Sequence, residues 1–228
     1  MNAPLDPRTD IAHSWDLSPR EAIALQKRLA SQVVAHDTLA GPPRRVAGID
    51  VGLRRGSSVA RAAAVVLTLP ELHVVDEAVV EQPITFPYVP GLLSFREAPA
   101  ILACLAHLSA PPDVLIFDGQ GLAHPRRLGI ASHVGILLDL PSLGCAKSRL
   151  CGEHEEPAAS RGDYALLRAG DEVIGAVLRT RTAVRPVFVS VGHRLSLPTA
   201  IALVLACGAG YRLPEPTRLA HRLASGLA

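Results

Sequence analysis

The order of the predicted elements along the chain indicates an α/β protein: a mixed sheet flanked by helices on both faces. Three strand-like runs come one after another, and short apolar strands that alternate with helices follow them. Consecutive strands joined by hairpins pair antiparallel, whereas strands separated by a helical crossover pair parallel, so this order predicts a sheet of both kinds. The chain length of 228 residues fits a single domain. We expect residues 1–14 to form a loose N-terminal arm of that domain.

The first helix and the first three strands are predicted from local signals. Ser18 and Glu21 form a capping box with Pro19 in the first turn, and apolar residues then recur at helical spacing as far as Val33. A Pro-Glu turn at residues 70–71 separates the second β-rich run from the third. The three β-rich runs occupy residues 45–51, 61–69 and 72–80.

The rest of the chain alternates between helices and short apolar strands. The strand that ends at Asp118 is apolar throughout its length, as expected of a strand at the buried centre of a sheet. Helices are predicted at residues 92–108 (despite Pro99), 128–138 and 197–207, and a last helix opens at Pro216. Strands are predicted at residues 113–118, 143–147, 172–179 and 187–191.

Composition excludes several classes of protein. The net charge of +2 is too small to indicate nucleic-acid binding by itself. No apolar run reaches the length that spans a membrane, and the N-terminus does not have the pattern of a signal peptide. The four cysteines fit no common zinc motif and form no C-x-x-C pair, which favours a reducing, cytoplasmic environment. They are Cys104, Cys145, Cys151 and Cys207.

Two aspartates stand where an α/β sheet usually carries its functional site. Asp50 lies inside an apolar strand between Ile49 and Val51, and Asp118 ends another apolar strand. If the strands are neighbours, the two carboxylates converge and repel, and a divalent cation bound through oxygen ligands relieves that repulsion. Mg²⁺ or Mn²⁺ suits such ligands. The pattern alone leaves open that Asp50 caps a turn and Asp118 starts a loop.

Two further residues are weaker candidates for the same site. Glu97 lies early in the predicted helix 92–108, from which it could reach the metal directly or through water. A glutamate in the first turns of a helix is also favoured by the helix dipole, and for Glu97 taken alone this is the better explanation. His221, on the last helix, is an isolated histidine with no spacing that argues for a site.

A glycine-rich loop and a proline-flanked tyrosine provide candidate ligand contacts. Gly119 and Gly121 would let backbone approach a ligand closely, and His124 and Arg126 could meet phosphate. An ordinary surface loop explains these residues equally well. The tip Pro87, Tyr88, Val89, Pro90 and Gly91 is typical of a wedge that enters a base stack, although composition alone favours a tyrosine half-buried beneath a turn.

Taken together, these stretches resemble the endonuclease V family, whose members act on deoxyinosine. The resemblance covers nearly the whole chain in order, and the matching stretches at residues 86–97 and 211–221 are long enough to be specific. The region from Trp15 to Val34 also fits. The matching stretches are VAGIDV at 46–51, FPYVPGLLSFRE at 86–97, DGQG at 118–121 with HPR at 124–126, AKS at 146–148, SVGH at 190–193 and YRLPEPTRLAH at 211–221.

The resemblance implies an RNase H-like fold and a metal-dependent nuclease. By this similarity Asp50 and Asp118 bind Mg²⁺, for which Mn²⁺ can substitute, and Glu97 and His221 complete the catalytic site by holding metal-bound water. Lys147 matches a family lysine near the scissile phosphate, and the chain has only one other lysine, Lys27. The implied reaction cuts the second phosphodiester bond 3′ to deoxyinosine and leaves 3′-hydroxyl and 5′-phosphate ends.

The resemblance also implies the contacts with nucleic acid. Tyr88 and its prolines would separate the strands, and Gly119, Gly121 and their neighbours would line the pocket for a flipped hypoxanthine. The expected partner is inosine-containing DNA, with inosine-containing RNA as an alternative, and neither a membrane nor an obligate protein partner is expected. Two alternatives remain: a catalytically inactive binding module on the same fold, and another RNase H-like enzyme such as a resolvase. Residues 53–61 align with no motif, and His221 stands where some relatives carry Asp.

Overall fold

The computed structural model describes residues 5–53 and 58–226. Among these residues the helices are α1 (Pro19–Ala30), α2 (Leu93–Leu105), α3 (Ile130–Leu138), α4 (Leu197–Ala206) and α5 (Glu215–Ala224). The strands are β1 (Arg45–Leu53), β2 (Val59–Thr68), β3 (Val74–Pro83), β4 (Val114–Phe117), β5 (Ser142–Ala146), β6 (Tyr164–Ala169), β7 (Glu172–Leu178) and β8 (Val187–His193).

The strands form one mixed sheet in the order β3-β2-β1-β4-β5-β8-β7-β6. β1, β4 and β5 run parallel to one another at its centre, and the remaining pairs are antiparallel. The parallel strands are those that a helix separates along the chain, and the antiparallel strands β1, β2 and β3 follow one another directly, as the sequence predicts. The prediction of a mixed sheet is therefore confirmed.

Helices cover both faces of the sheet. One core cluster joins α4 and α5 to one face, with Val46, Val114 and Ile116 among its strand residues. A second cluster joins α2 and α3 to the other face through the alternate positions, such as Ile49 and Leu115. Because strand residues alternate between faces, a continuous apolar run is buried on both sides. No helix among the described residues is long and apolar enough to cross a membrane.

The predicted α1 begins as its capping signals indicate. The Ser18 side chain accepts from the Glu21 backbone N–H, and the Glu21 carboxylate accepts from the Ser18 backbone N–H at 2.8 Å. The buried side of α1 packs against Phe86, in the loop between β3 and α2, and against Phe95, in the first turn of α2. The helix that carries the capping box thus also supports the loop that contains Tyr88.

One strand was not predicted and one expectation needs correction. The edge strand β6 was missed because, among its six residues, only Leu167 is buried, so no sustained apolar run marks it. The N-terminal arm is irregular but is not loose where it is described: the Arg8 backbone N–H donates to the Leu137 carbonyl at 2.7 Å, and Leu5 and Ile11 pack against core residues. Residues 1–4 of that arm, and 54–57 of the loop predicted at 53–61, lie outside the described residues.

Candidate active site

The two strand aspartates lie side by side at one edge of the sheet. β1 and β4 pair in parallel, with Ile49 opposite Phe117, so the residues that follow them, Asp50 and Asp118, occupy neighbouring positions. The Asp118 backbone N–H donates to the Ile49 carbonyl at 3.1 Å. The two carboxylates therefore converge through strand pairing, as the sequence predicts for neighbouring strands.

Glycines on β1 bring α5 and His221 onto Asp50. Gly48, Asp50 and Gly52 point to the same face of β1, because side chains alternate along a strand. A Cβ atom on Gly48 would lie 2.0 Å from the backbone of Pro216, and Gly52 makes a similar approach to the last turn of α5. The helix backbone can therefore rest directly on the strand. In that position His221 Nδ1 lies 2.6 Å from Asp50 Oδ2.

Asp50, Asp118 and His221 together form a group that can hold a metal ion. One ligand atom from each residue lies within 4.8 Å of the others. Two carboxylate oxygens with one imidazole nitrogen is a donor set that suits Mg²⁺ or Mn²⁺ better than a thiolate-preferring metal. The described residues thus fit a divalent cation at this point of the sheet.

Glu97 adds a third carboxyl group beside Asp50 and Asp118. It projects from the second turn of α2, and its pKa is raised to about 8, first by burial and then by the negative charges of Asp50 and Asp118. Burial also raises the pKa of Asp118, against the opposing effect of Lys147. The site therefore has more negative charge than its own cations balance, which is the condition that a bound cation relieves.

Lys147 follows β5 and forms an ion pair with the Asp118 carboxylate. Its backbone is held by a residue that the sequence analysis did not single out: Arg212 Nη2 donates to the Lys147 carbonyl at 2.6 Å and to the Pro186 carbonyl at 2.8 Å. Arg212 belongs to the YRLPEP stretch that leads into α5, so the same segment supports both Lys147 and His221. Its place in that stretch was the available signal.

A cleft of about 380 Å³ opens beside Asp118 and Lys147. This volume lies within the usual range for small-ligand sites, roughly 300–1,000 Å³. Tyr88, whose residue surface is 72% exposed, stands on its rim, and the neighbouring Pro87 is exposed. This exposure corrects the composition-based interpretation of a half-buried tyrosine. The lining includes Tyr88, Val89, Pro90, Gly91 and Gly119.

Three other predicted contact residues are engaged within the protein. Gly121 is not among the lining residues of the cleft; its N–H donates to Ser190 Oγ at 2.8 Å, and a Cβ there would lie 2.0 Å from the Val191 carbonyl oxygen. His124 lines the cleft but is 3% exposed, and the Arg126 guanidinium donates to protein acceptors. The phosphate contact expected for His124 and Arg126 therefore stays a prediction, and their hydrogen bonds within the protein suggest a different role.

Comparisons with known proteins agree with this geometry. The family model described as Endonuclease V matches residues 27–222. An Endonuclease V of Roseiflexus sp. (strain RS-1) is 56% identical over 211 residues, which cover 92% of this chain and 94% of the relative. An Endonuclease V of Nostoc sp. (strain PCC 7120) is 52% identical over 213 residues, or 93% of this chain and 96% of the relative.

Solved structures give the same result. The crystal structure of Endonuclease V from Streptomyces avermitilis superposes with a TM-score of 0.88 at 44% identity, covering 97% of this chain and 96% of that one. Endonuclease V from Ciona intestinalis, in complex with a 24mer DNA containing an inosine followed by a ribo-adenosine, superposes with a TM-score of 0.78 at 28% identity. That comparison covers 91% of this chain and 95% of the other.

The fold and the carboxylate cluster define a nuclease of the RNase H-like class. The chain belongs to the endonuclease V family. The family and the RNase H-like fold implied by the sequence motifs are thereby confirmed.

Proposed function

We propose that this protein is a Mg²⁺-dependent DNA-repair endonuclease that recognises deoxyinosine. It hydrolyses the second phosphodiester bond 3′ to the lesion and leaves 3′-hydroxyl and 5′-phosphate ends. The observation that carries the proposal is the group of Asp50, Asp118 and His221 beside a cleft whose rim carries the exposed Tyr88. The complex of the Ciona intestinalis relative with inosine-containing DNA supports the choice of substrate.

In this proposal Asp50 and Asp118 hold the metal, and Mn²⁺ can replace Mg²⁺. When bound, the divalent ion supplies Lewis acidity toward the phosphate and the attacking water. The Asp50 carboxylate accepts from His221 Nδ1–H, which fixes the imidazole in the site. Glu97, whose pKa lies near 8 without a cation, can accept a proton from the attacking water once a cation restores its negative charge.

Lys147 is the positive group nearest the reacting phosphate in this proposal. Its ammonium pairs with Asp118 at the mouth of the cleft, where it can approach a nonbridging oxygen of the substrate. A fixed cation in that position offsets the charge that develops on the phosphate in the transition state. Lys147 therefore acts on the substrate and at the same time keeps Asp118 in place.

The base pocket is the cleft behind Tyr88. Tyr88 would enter the stack, held rigid between Pro87 and Pro90, and Val89, Gly91 and Gly119 would line the space for the flipped hypoxanthine. Hypoxanthine differs from adenine by an oxo group and a ring N–H on the edge that the pocket reads, so adenine would leave polar groups in the pocket unpaired. Unstacking costs least at a mispaired base, which adds selectivity.

A labelled duplex with one deoxyinosine tests the proposal directly. We expect one nick at the second bond 3′ to the lesion with Mg²⁺, no nick with EDTA and no nick in the matched duplex with deoxyadenosine. A strand with inosine in RNA measures the preference for sugar type. The absence of any metal-dependent nick would refute the assignment, and preferential cutting of a four-way junction or an RNA–DNA hybrid would favour a different RNase H-like activity.

A further inference from the structure

Three side chains converge on a single backbone oxygen at the end of the Tyr88 loop. The Gly91 carbonyl accepts from Gln26 Nε2 at 3.0 Å, from His124 Nε2 at 3.0 Å and from Arg126 Nη2 at 2.6 Å. A carbonyl oxygen has two lone pairs, so three donors more than saturate it. We call Gln26, His124 and Arg126 the Gly91 clamp.

The members of the Gly91 clamp also bind one another. Arg126 Nε donates to Gln26 Oε1 at 2.5 Å, and the Arg126 backbone N–H donates to His124 Nδ1 at 3.1 Å. Because Nδ1 accepts, the proton of the neutral ring is on Nε2, the atom that faces Gly91. Burial lowers the pKa of His124 to about 4, which keeps the ring neutral at ordinary pH. Gln26 also donates to the Leu128 carbonyl at 3.2 Å, so the clamp is tied to two segments of the chain.

Gly91 is the residue that this arrangement requires. Its φ of +78° lies in the left-handed region, and a Cβ atom there would lie 2.7 Å from Arg126 Nη2. It stands between the exposed Tyr88 and the start of α2, which carries Glu97. The loop from Pro87 to Gly91 has no helix or strand of its own, so its position depends on such contacts.

We propose that Gln26, His124 and Arg126 are positioning residues that fix the Tyr88 loop by holding the Gly91 carbonyl. They act through the loop and not on the nucleic acid. The proposal rests on the proposed function, because it assigns to Tyr88 the separation of base pairs. It assigns a role to Gln26, a polar side chain that is 1% exposed on the apolar side of α1.

The first experiment compares duplex with single-stranded deoxyinosine substrates under Mg²⁺. A misplaced Tyr88 matters only where base pairs must be opened, so Arg126→Lys and Gln26→Glu should lower kcat/KM on the duplex by about 10- to 100-fold. Both variants should lower the rate on the single strand by a clearly smaller factor, because Val89 and Gly91 also line the proposed pocket for the flipped base. Gln26→Glu keeps an acceptor for Arg126 but removes the donor to Gly91. Equal losses on both substrates would overturn the proposal.

A double-mutant cycle tests whether Arg126 acts through Tyr88. Tyr88→Ala should show the same duplex-selective loss, and Arg126→Lys should add little to it, because the contact that it positions is already gone. Additive effects would mean that Arg126 acts independently of Tyr88 and would overturn the proposal.

Salt dependence separates positioning from a direct phosphate contact. Binding of an inosine duplex should have the same slope of log Kd against log salt in wild type and in Arg126→Ala. A lost phosphate contact would reduce the slope by roughly 0.9, which would contradict the proposal. Arg181→Ala, at an exposed arginine after β7, is the matched control for removal of one surface charge.

Hydrogen exchange provides a measurement that needs no substrate. The amides of residues 89–93, apart from Pro90, which has none, should exchange at least several-fold faster in Arg126→Lys and Gln26→Glu than in wild type, whereas the amides of the central strand β4 should be unchanged. If the wild type fails to cut inosine DNA but this acceleration is seen, the proposed function fails and the clamp stands as the support of the loop. Unchanged exchange at residues 89–93 would refute the clamp even if the protein cuts.

Discussion

The carboxylate cluster and the Gly91 clamp border the same cleft but satisfy their polar groups in different ways. In the cluster, burial and then the negative charges of Asp50 and Asp118 raise the pKa of Glu97 to about 8. In the clamp, the donor groups of His124 and Arg126 that face Gly91 find acceptors within the protein. Unbalanced charge marks a place that a cation can occupy, whereas side-chain donors directed at an acceptor within the protein mark a place built for fixed geometry.

The two regions should also respond to pH in opposite directions. A carboxyl whose pKa is raised in the folded state destabilises the protein as pH rises, and a histidine whose pKa is lowered destabilises it as pH falls. Both effects are properties of the metal-free protein. They allow the comparison to be tested on the two regions separately.

The largest expected effect is loss of catalysis when the cluster loses a carboxylate. Asp118→Asn should lower the rate of nicking of an inosine duplex by at least about a thousandfold, because a metal contributes several kcal/mol to the transition state. Its thermal unfolding midpoint should not fall, because the substitution removes a repelling charge. Asp171→Asn, at an exposed aspartate, is the control. Full activity of Asp118→Asn would rule out its metal role.

Replacement of Lys147 should lower the rate of nicking by a smaller factor than replacement of Asp118. Lys147→Met should lower kcat by about 100-fold, the usual loss when one fixed donor to transition-state charge is removed. The control is Lys27→Met on the exposed side of α1, which changes the only other lysine of the chain. Single-turnover rates with saturating enzyme separate chemistry from binding. A change in KM alone would assign Lys147 to binding.

Glu97 should make the metal-free protein less stable as pH rises. Its pKa is about 8 in the folded protein and ordinarily 4.5, so between these values the folded state binds a proton that the unfolded state has lost. Above about pH 6.5, where His124 and His133 are neutral in both states and no longer oppose it, the free energy of unfolding should therefore fall by up to about 1.4 kcal/mol per pH unit toward pH 8. Denaturant unfolding with EDTA measures it. Glu97→Gln should remove this slope, and added Mg²⁺ should restore stability most at high pH. A slope that is unchanged in Glu97→Gln would contradict the repulsion described for the cluster.

His124 should produce the opposite dependence, with the smallest effect of the four. Its pKa is about 4 in the folded protein and ordinarily 6.5, so between these values the unfolded state binds a proton that the folded state does not. Stability is present above pH 6.5 and falls toward pH 4, by up to about 1.4 kcal/mol per unit. Buried His133, with a pKa of about 3, adds to the wild-type slope, so His124→Gln should lessen the slope without removing it. An equal slope in both proteins would show that His124 is not held neutral.

Much of the fold could be read from local patterns. Capping signals located α1, and runs of apolar residues located most strands, because backbone hydrogen bonding and burial have short-range periodicities. The edge strand β6 was missed because an edge strand needs only one partner and little apolar surface. Asp50 and Asp118 could be predicted as a pair only on the condition that their two strands are neighbours, and the parallel pairing of β1 with β4 meets that condition.

The sequence by itself determined the family, the mixed sheet and the residues with the chemistry of a metal site. The tertiary structure decided which of these residues meet. His221 reaches Asp50 across 171 positions of the chain because two glycines let α5 rest on β1. His124 and Arg126 point to Gly91, and Gln26 joins them, through contacts between segments far apart in the chain. Periodicity reports how each segment is buried, but the direction and distance of a side chain depend on how separate segments pack together.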